Sequence, residues 1–187
     1  LGWGFAPDRD KPVSGCMVPH EVFSSCAGAA IYRKSVFDEI GLFDESFFAY
    51  LEDMDIGYRA RLAGYRNLYN PYAKVYHLGS ASSGSRHNAF KVELSARNSM
   101  YMLRKNMPAW QMVLNVPFIA AGIIIKTVYF ARKGLVTAYL KGIVKGLSGK
   151  LRNTSKNAGE KHKDTGFATY LGLQMWLFRG MIKRVKK

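Results

Sequence analysis

Phe47-Phe48-Ala49-Tyr50-Leu51-Glu52-Asp53-Met54-Asp55-Ile56-Gly57-Tyr58-Arg59 is the stretch on which the reading of this chain turns. An aromatic, apolar run gives way in a single step to three carboxylates within four positions. Acidic groups that close repel one another, so a fold keeps them only where a cation, a proton or a helix N-terminus compensates. A helix beginning near Glu52 and ending at Gly64 meets that condition. It places Glu52 and Asp53 in the first turn, where the helix dipole favours their ionised forms. Met54, Tyr58 and Leu62 recur at i, i+4 and i+8 as a buried face. Asp55 and Arg59 make an i, i+4 pair, and Gly64 supplies a left-handed C′ residue.

Outward from this helix the pattern is mixed α and β. Residues 1–26 are rich in Gly, Pro, Asp and Ser and read as loop with short extended pieces. Ala27-Gly28-Ala29-Ala30-Ile31-Tyr32 reads as a small-residue strand whose backbone something can approach. Ser35 is expected to cap a short helix with Val36, Phe37 and Ile40 on its buried face and Gly41 closing it. Residues 43–47 read as a turn with aromatic anchors. Downstream, residues 67–69 and 73–77 read as two short strands parted by Asn70-Pro71, and residues 80–88 as a Ser/Gly-rich loop. A helix follows over 90–105, and Pro108 breaks it.

Charge divides the chain. Residues 1–95 carry 10 Lys+Arg and 11 Asp+Glu, a net of −1, whereas residues 96–187 carry 18 Lys+Arg and 2 Asp+Glu, a net of +16. The expected organisation is accordingly a roughly neutral domain over 1–95 and a basic region over 96–187 that seeks a polyanion. The apolar run Val116-Pro117-Phe118-Ile119-Ala120-Ala121-Gly122-Ile123-Ile124-Ile125 favours an anionic lipid surface over nucleic acid, which has no use for so much exposed apolar side chain. Residues 112–131 approach the length that crosses a bilayer. Asn115, Pro117 and Lys126 interrupt them, and the stretch is expected to dip into the interface. Residues 128–151 read as an amphipathic helix lying in the membrane plane, 152–165 as a polar linker, and 166–187 as a second short helix. Cys16 and Cys26 lack the spacing of a disulfide framework or a zinc site and read as reduced thiols. The chain opens on Leu1-Gly2-Trp3-Gly4-Phe5, without the basic and apolar segments of a secretory signal.

Glu52-Asp53-x-Asp55 could be a solvated helix start. Phe47, Phe48, Tyr50 and Leu51 crowd it, however, and a Tyr-Arg pair follows, as in a lined cleft. There a carboxylate of modestly raised pKa can take a proton from an attacking hydroxyl. His77 ends the second apolar stretch. A lone histidine at a strand end is usually structural, although a neutral imidazole is also a ligand for Mn2+ or Mg2+ when other groups complete the shell.

Residues 28–84 resemble the C-terminal half of the catalytic domain in family 2 glycosyltransferases, most of all the bacterial rhamnosyltransferase-like and galactofuranosyltransferase-like members. The likeness lies in the order of motifs: a small-residue strand, R-x-x-[FVL]-x-x-[IV]-G-x-F-D-E-x-F-F, an aromatic before E-D-x-D, R-x-x-x-A-G-Y, and a terminal V-x-H. The resemblance implies an α/β fold, a partial GT-A-like (nucleotide-diphospho-sugar transferase) domain, followed by a helical, amphipathic C-terminal region. It implies that Asp53 is the base that deprotonates the acceptor, that Glu52 helps to hold the acceptor, and that His77 binds a divalent metal, Mn2+ or Mg2+. Gly28 and Ala29 are expected to line the donor and acceptor cleft, with Asp55 and Arg59 as further substrate contacts. The implied reaction is inverting transfer of a sugar from a nucleotide-sugar donor to a lipid-linked or glycan acceptor in cell-wall or polysaccharide biosynthesis. It would take place on the cytoplasmic face of the bacterial inner membrane. The D-x-D metal motif and the N-terminal nucleotide-binding units of that family have no counterpart here, so the chain is expected to be the downstream part of a longer enzyme. The Q-x-x-R-W signature of the processive branch is missing too, which favours single-sugar addition. The rival reading is a non-catalytic peripheral membrane module with a structural acidic cluster.

Overall fold

The computed structural model describes residues 12–76, 88–149 and 166–185. Helices make up most of it: α1 (Lys34–Ile40), α2 (Glu52–Leu62), α3 (Ala89–Asn106), α4 (Ala109–Ala131), α5 (Val136–Ser148) and α6 (Phe167–Val185). Two strands, β1 (His20–Val22) and β2 (Asn67–Tyr69), pair antiparallel with Glu21 opposite Leu68. A small two-stranded sheet among helices is compatible with a partial α/β fold. The chain divides into two compact units that interleave in sequence. Among the described residues one takes 12–44, 52–76 and 166–185, and the other takes 45–51 and 88–149. The expected boundary after Ser95 falls inside α3, which runs through it without a break.

The first unit is built on α1 and α2. Val36 and Ile40 pack with Ile56 and Ala60, and Tyr32, Phe37 and Tyr65 close the edge of this cluster. α1 begins one residue before the expected cap, with Arg33 at its N-cap and no side-chain capping bond. Its end is as expected: Gly41 takes φ 80° and its N–H donates to the Phe37 carbonyl. α2 ends in a Schellman motif. Gly64, at φ 87°, donates to the Arg61 carbonyl, and the Tyr65 N–H reaches back to the Ala60 carbonyl. The expected one-sided burial of α2 is corrected, because every residue from Asp55 to Leu62 is buried. The polar residues tolerate this because each finds internal partners. Arg61 donates through Nε to the Phe23 carbonyl at 3.0 Å, pairs with Glu21 at 3.0 Å, and stacks its guanidinium 4.3 Å from the Trp176 ring of α6. Burial pulls its pKa down and the Glu21 partner pushes it back up. Gly57 has a steric role, since a Cβ there would lie 2.3 Å from the Ser24 Cβ where the chain crosses α2.

Two strand expectations are also corrected. Residues 27–29 form a 3-10 turn, closed by the Ala29 N–H on the Cys26 carbonyl at 2.9 Å, and only then does the chain extend. The partner of β2 is instead residues 20–22, which the sequence left within loop. Residues 73–76 have no regular structure.

The second unit contains a strained loop and the helix that holds it. Phe48, Tyr50 and Leu51 all have positive φ, at 61°, 67° and 69°. For bulky side chains this left-handed region costs on the order of 1–2 kcal/mol per residue. Compensation comes from α3. The wholly buried Asn98 side-chain amide donates to the carbonyls of Phe47 (2.9 Å), Ala49 (2.7 Å) and Tyr50 (2.7 Å). Arg97 donates to the Ser46 and Phe47 carbonyls and steadies the Asn98 Oδ1 at 2.9 Å. Phe47, with no exposed surface, packs edge-on against Tyr101.

α3 starts one residue before the expected position, with Asn88 Oδ1 accepting from the Lys91 N–H at 2.9 Å, and it ends before Pro108 as expected. α5 lies tightly on α3 because Gly142 and Gly146 have no side chain there. A Cβ at either would fall 2.3 Å from the Glu93 carbonyl oxygen or 2.4 Å from that of Arg97. α4 differs from expectation. It passes through Asn115, Pro117 and Lys126 as one helix of 23 residues, long and apolar enough by length and composition to cross a bilayer. Little of that stretch is buried.

Asn98→Ala should destabilise the second unit by roughly 2–4 kcal/mol in urea unfolding, since it strips the donors from a strained buried loop. Asn98→Asp, equal in shape but carrying no donor, should be at least as damaging.

Candidate functional site

The carboxylates singled out in the sequence sit at the start of α2, beside the turn that follows Cys26. Asp53 Oδ1 accepts from the Met54 N–H at 2.8 Å, and its Oδ2 accepts a longer bond, 3.3 Å, from the Ala27 N–H. The Ser24 hydroxyl donates to the Met54 Sδ at 2.8 Å and keeps the preceding segment against the same helix turn. Gly28 and Ala29 are exposed in the 3-10 turn next to the Ala27 contact. The structure thus brings Asp53, Glu52, Gly28 and Ala29 to one region of the first unit.

Glu52 differs from its neighbour. Its Oε2 is shut off from solvent without a hydrogen-bond partner. Burial raises its pKa most, the charge on Asp53 raises it further, and a hydrogen bond from its own backbone N–H opposes both. Tyr32 joins the group, and sequence reasoning missed it. Its hydroxyl is likewise buried without a partner. Its pKa is raised by burial first and then by the nearby charges of Asp53, Cys26 and Glu52. Its ring is held by Phe37 and Phe43, with centroids 5.2 and 6.0 Å away. The only sequence signal was its place at the end of the small-residue segment, which the chain folds back toward the acidic pair. Tyr32 and Glu52 therefore hold a buried donor and a buried acceptor, neither with a protein partner, within the electrostatic reach of Asp53.

Asp55 and Arg59 stand elsewhere on α2. Expected as substrate contacts, they have no exposed surface and bond to each other, Nε to Oδ2 at 2.9 Å and Nη2 to Oδ2 at 2.8 Å. Arg59 also donates to the carbonyls of Ile40, Gly41 (3.2 Å) and Leu42 (2.9 Å) at the end of α1. That arrangement fastens α1 to α2 and leaves neither side chain facing a ligand. His77 lies outside the described residues. Among those described, no group of three or more His, Cys, Asp or Glu comes together to hold a metal ion, so they do not by themselves fit a metal centre.

No family model matches the chain, and no solved structure matches it significantly. Among curated proteins it is 43% identical over 54 residues to the N-acetylglucosaminyl-diphospho-decaprenol L-rhamnosyltransferase of two Mycobacterium tuberculosis strains. The match takes in 29% of this chain and 18% of that protein. A further likeness, 32% over 80 residues, is to an uncharacterized protein of Sinorhizobium fredii, and it covers 42% of this chain and 9% of the relative. The chain thus spans under a fifth of the length of the curated relatives it matches. Over the matched stretch it is similar to a glycosyltransferase.

Two outcomes separate the framework pair from the acidic site. Asp55→Ala should cost roughly 3–5 kcal/mol of stability, because it leaves the Arg59 charge buried without its partner. Glu52→Gln should do the opposite at neutral pH. A carboxyl whose folded pKa is raised lends its full stability below the unfolded value near 4.3, and loses it as pH rises through the folded pKa. Thermal unfolding should show equal midpoints for wild type and Glu52→Gln near pH 3.5, and a higher midpoint for the variant at pH 7.

Proposed function

We propose that this chain carries part of the acceptor side of an inverting glycosyltransferase with a GT-A-like catalytic domain. It would move a sugar from a nucleoside-diphosphate donor to a lipid-linked or polysaccharide acceptor at the cytoplasmic face of a membrane. The observation that carries the reading is the meeting of Asp53, Glu52 and Tyr32 with the Ala27–Ala29 turn. The likeness to a rhamnosyltransferase supports it.

In this reading Asp53 is the base. Among the described residues its Oδ2 is held by the long Ala27 contact, so it retains lone pairs for an incoming hydroxyl. As the acceptor oxygen attacks the anomeric carbon, its proton passes to Asp53, and the bond to the nucleoside diphosphate breaks with its electron pair on the departing phosphate. Glu52 helps to hold the acceptor through its carboxylate, and Tyr32 backs it from the buried side. Gly28 and Ala29 let the sugar approach the backbone. Asp55 and Arg59 contribute by fixing α2 rather than by touching substrate. A divalent ion, Mn2+ or Mg2+, held in part by His77 belongs to the proposal and would offset charge on the leaving diphosphate.

The alternative, a peripheral membrane module without catalysis, is favoured by the exposed apolar surface of α4. One substitution separates the two. In the full-length enzyme Asp53→Asn should lower transfer about 10²–10⁴-fold, with circular dichroism and vesicle binding unchanged. Turnover at the wild-type rate would remove Asp53 as base.

A further inference from the structure

α4 is inside out by the standard of a helix in water. Its exposed positions are all apolar or small, among them Val113, Val116, Phe118, Ile124, Ile125 and Val128. Its polar side chains face the other way. Gln111 and Asn115 have no exposed surface, the Asn115 amide donates to the Gln111 carbonyl at 2.7 Å, and the Thr127 hydroxyl turns back to the Ile123 carbonyl at 2.8 Å. Such polarity suits hydrocarbon outside the protein. α5 continues the surface with Leu140, Val144 and Leu147 exposed at i, i+4 and i+7. Arg132 and Lys133 are exposed at the corner, where Lys133 Nζ stands 5.4 Å from the centre of the Tyr129 ring. An aromatic ring with basic neighbours is typical of a headgroup boundary.

Length alone would let α4 cross a bilayer, but its neighbours oppose this. α5 runs parallel to α3. Gly142 lies against Glu93 and Gly146 against Arg97, while Arg104 donates to the carbonyls of Gly146 (2.7 Å) and Gly149 (2.9 Å). The start of α5 is therefore beside the start of α3. α4 leaves from the far end of α3 and returns through residues 132–135 alone, which reach at most about 14 Å. Its end is held there, with the Phe130 ring 5.2 Å from that of Tyr139. α4 must then run back from the end of α3 to the start of α5, opposite in direction to both. Were it to cross, Glu93, Arg97 and Arg104 of α3 and Lys141 and Lys145 of α5 would be carried to the depth of the hydrocarbon, where each charge is heavily penalised.

We propose that the outer faces of α4 and α5 form a lipid-docking surface that lies flat in an anionic membrane interface, with the span-length α4 parallel to the bilayer. The proposal rests on the membrane location given above and not on the transfer chemistry.

The full chain is mixed with vesicles of phosphatidylcholine and phosphatidylglycerol and tested for flotation. Depth is then read by nitroxide-lipid quenching of a fluorophore on Val113→Cys, Ala120→Cys or Val128→Cys, each with Cys16→Ser and Cys26→Ser. Flotation with all three positions at one shallow depth is the expected result. The exposed pair Ile124→Lys and Val128→Lys should weaken vesicle binding at least about tenfold without lowering helix content. Flotation with position 120 deepest and the two ends near opposite leaflets would mean a crossing helix, and would overturn the flat orientation while leaving membrane location intact. Failure to float would overturn both. A vesicle-free oligomer that the double-lysine variant dissolves would assign the surface to a second copy of this chain.

Discussion

A guanidinium with no access to water holds the first unit together. Arg59 is the largest wholly buried side chain, and it sits where α1 runs out of internal acceptors. The last carbonyls of a helix have no partner within it, and they carry the negative end of its dipole. Arg59 answers both needs by donating to Ile40, Gly41 and Leu42 while Asp55 neutralises its charge. The helix that presents Glu52 and Asp53 is thereby fixed to the helix before it. Arg61, two residues on, repeats the device against the Phe23 carbonyl and Glu21. α2 can therefore be buried on every side although half of its residues are polar. A buried charge is stable only when it is paired and hydrogen-bonded, and for Asp55, Arg59 and Arg61 that requirement is met from within.

The acidic run divides into roles that spacing alone does not separate. Asp55 points into the fold and is consumed by Arg59. Glu52 and Asp53, three and two residues earlier, remain at the helix start beside the Ala27–Ala29 turn. Near it two buried polar atoms, Glu52 Oε2 and the Tyr32 hydroxyl, are left without a protein partner. Immediately upstream, the chain passes through three bulky residues of positive φ, held by Asn98 and Arg97. Strain of this kind persists only where its surroundings over-determine it, and it gathers at functional places.

In the second unit apolar surface faces outward on α4 and α5. The seam between α3 and α5 carries charge, with Glu93 bridging Lys145 and Lys141 at 2.5 and 3.6 Å. The hydrogen bond from Lys145 and both lysine charges pull the Glu93 pKa down.

Much of this was legible in the chain itself. Gly41 and Gly64 marked the ends of α1 and α2 because only a residue without a side chain takes positive φ cheaply. Pro108 bounded α3 at its end through the donor it lacks. Residue type and order pointed to the acidic pair and to residues 28 and 29, and the Ala27 N–H on Asp53 Oδ2 puts that turn beside the start of α2. Contacts between residues far apart in sequence were not legible. The Asp55–Arg59 pair itself was legible at i, i+4, but its burial under the last carbonyls of α1 depended on the end of α1 lying beside α2. Tyr32 became part of the site only when residues 27–29 turned instead of extending. The strand partner of residues 67–69 was fixed by which segment reached that edge, and the lie of α4 by two glycines that let α5 settle on α3. Periodicity and caps act within one or two helical turns, so sequence displays them. Burial, hydrogen-bond partnership and helix direction are properties of neighbours that the chain brings together only by folding.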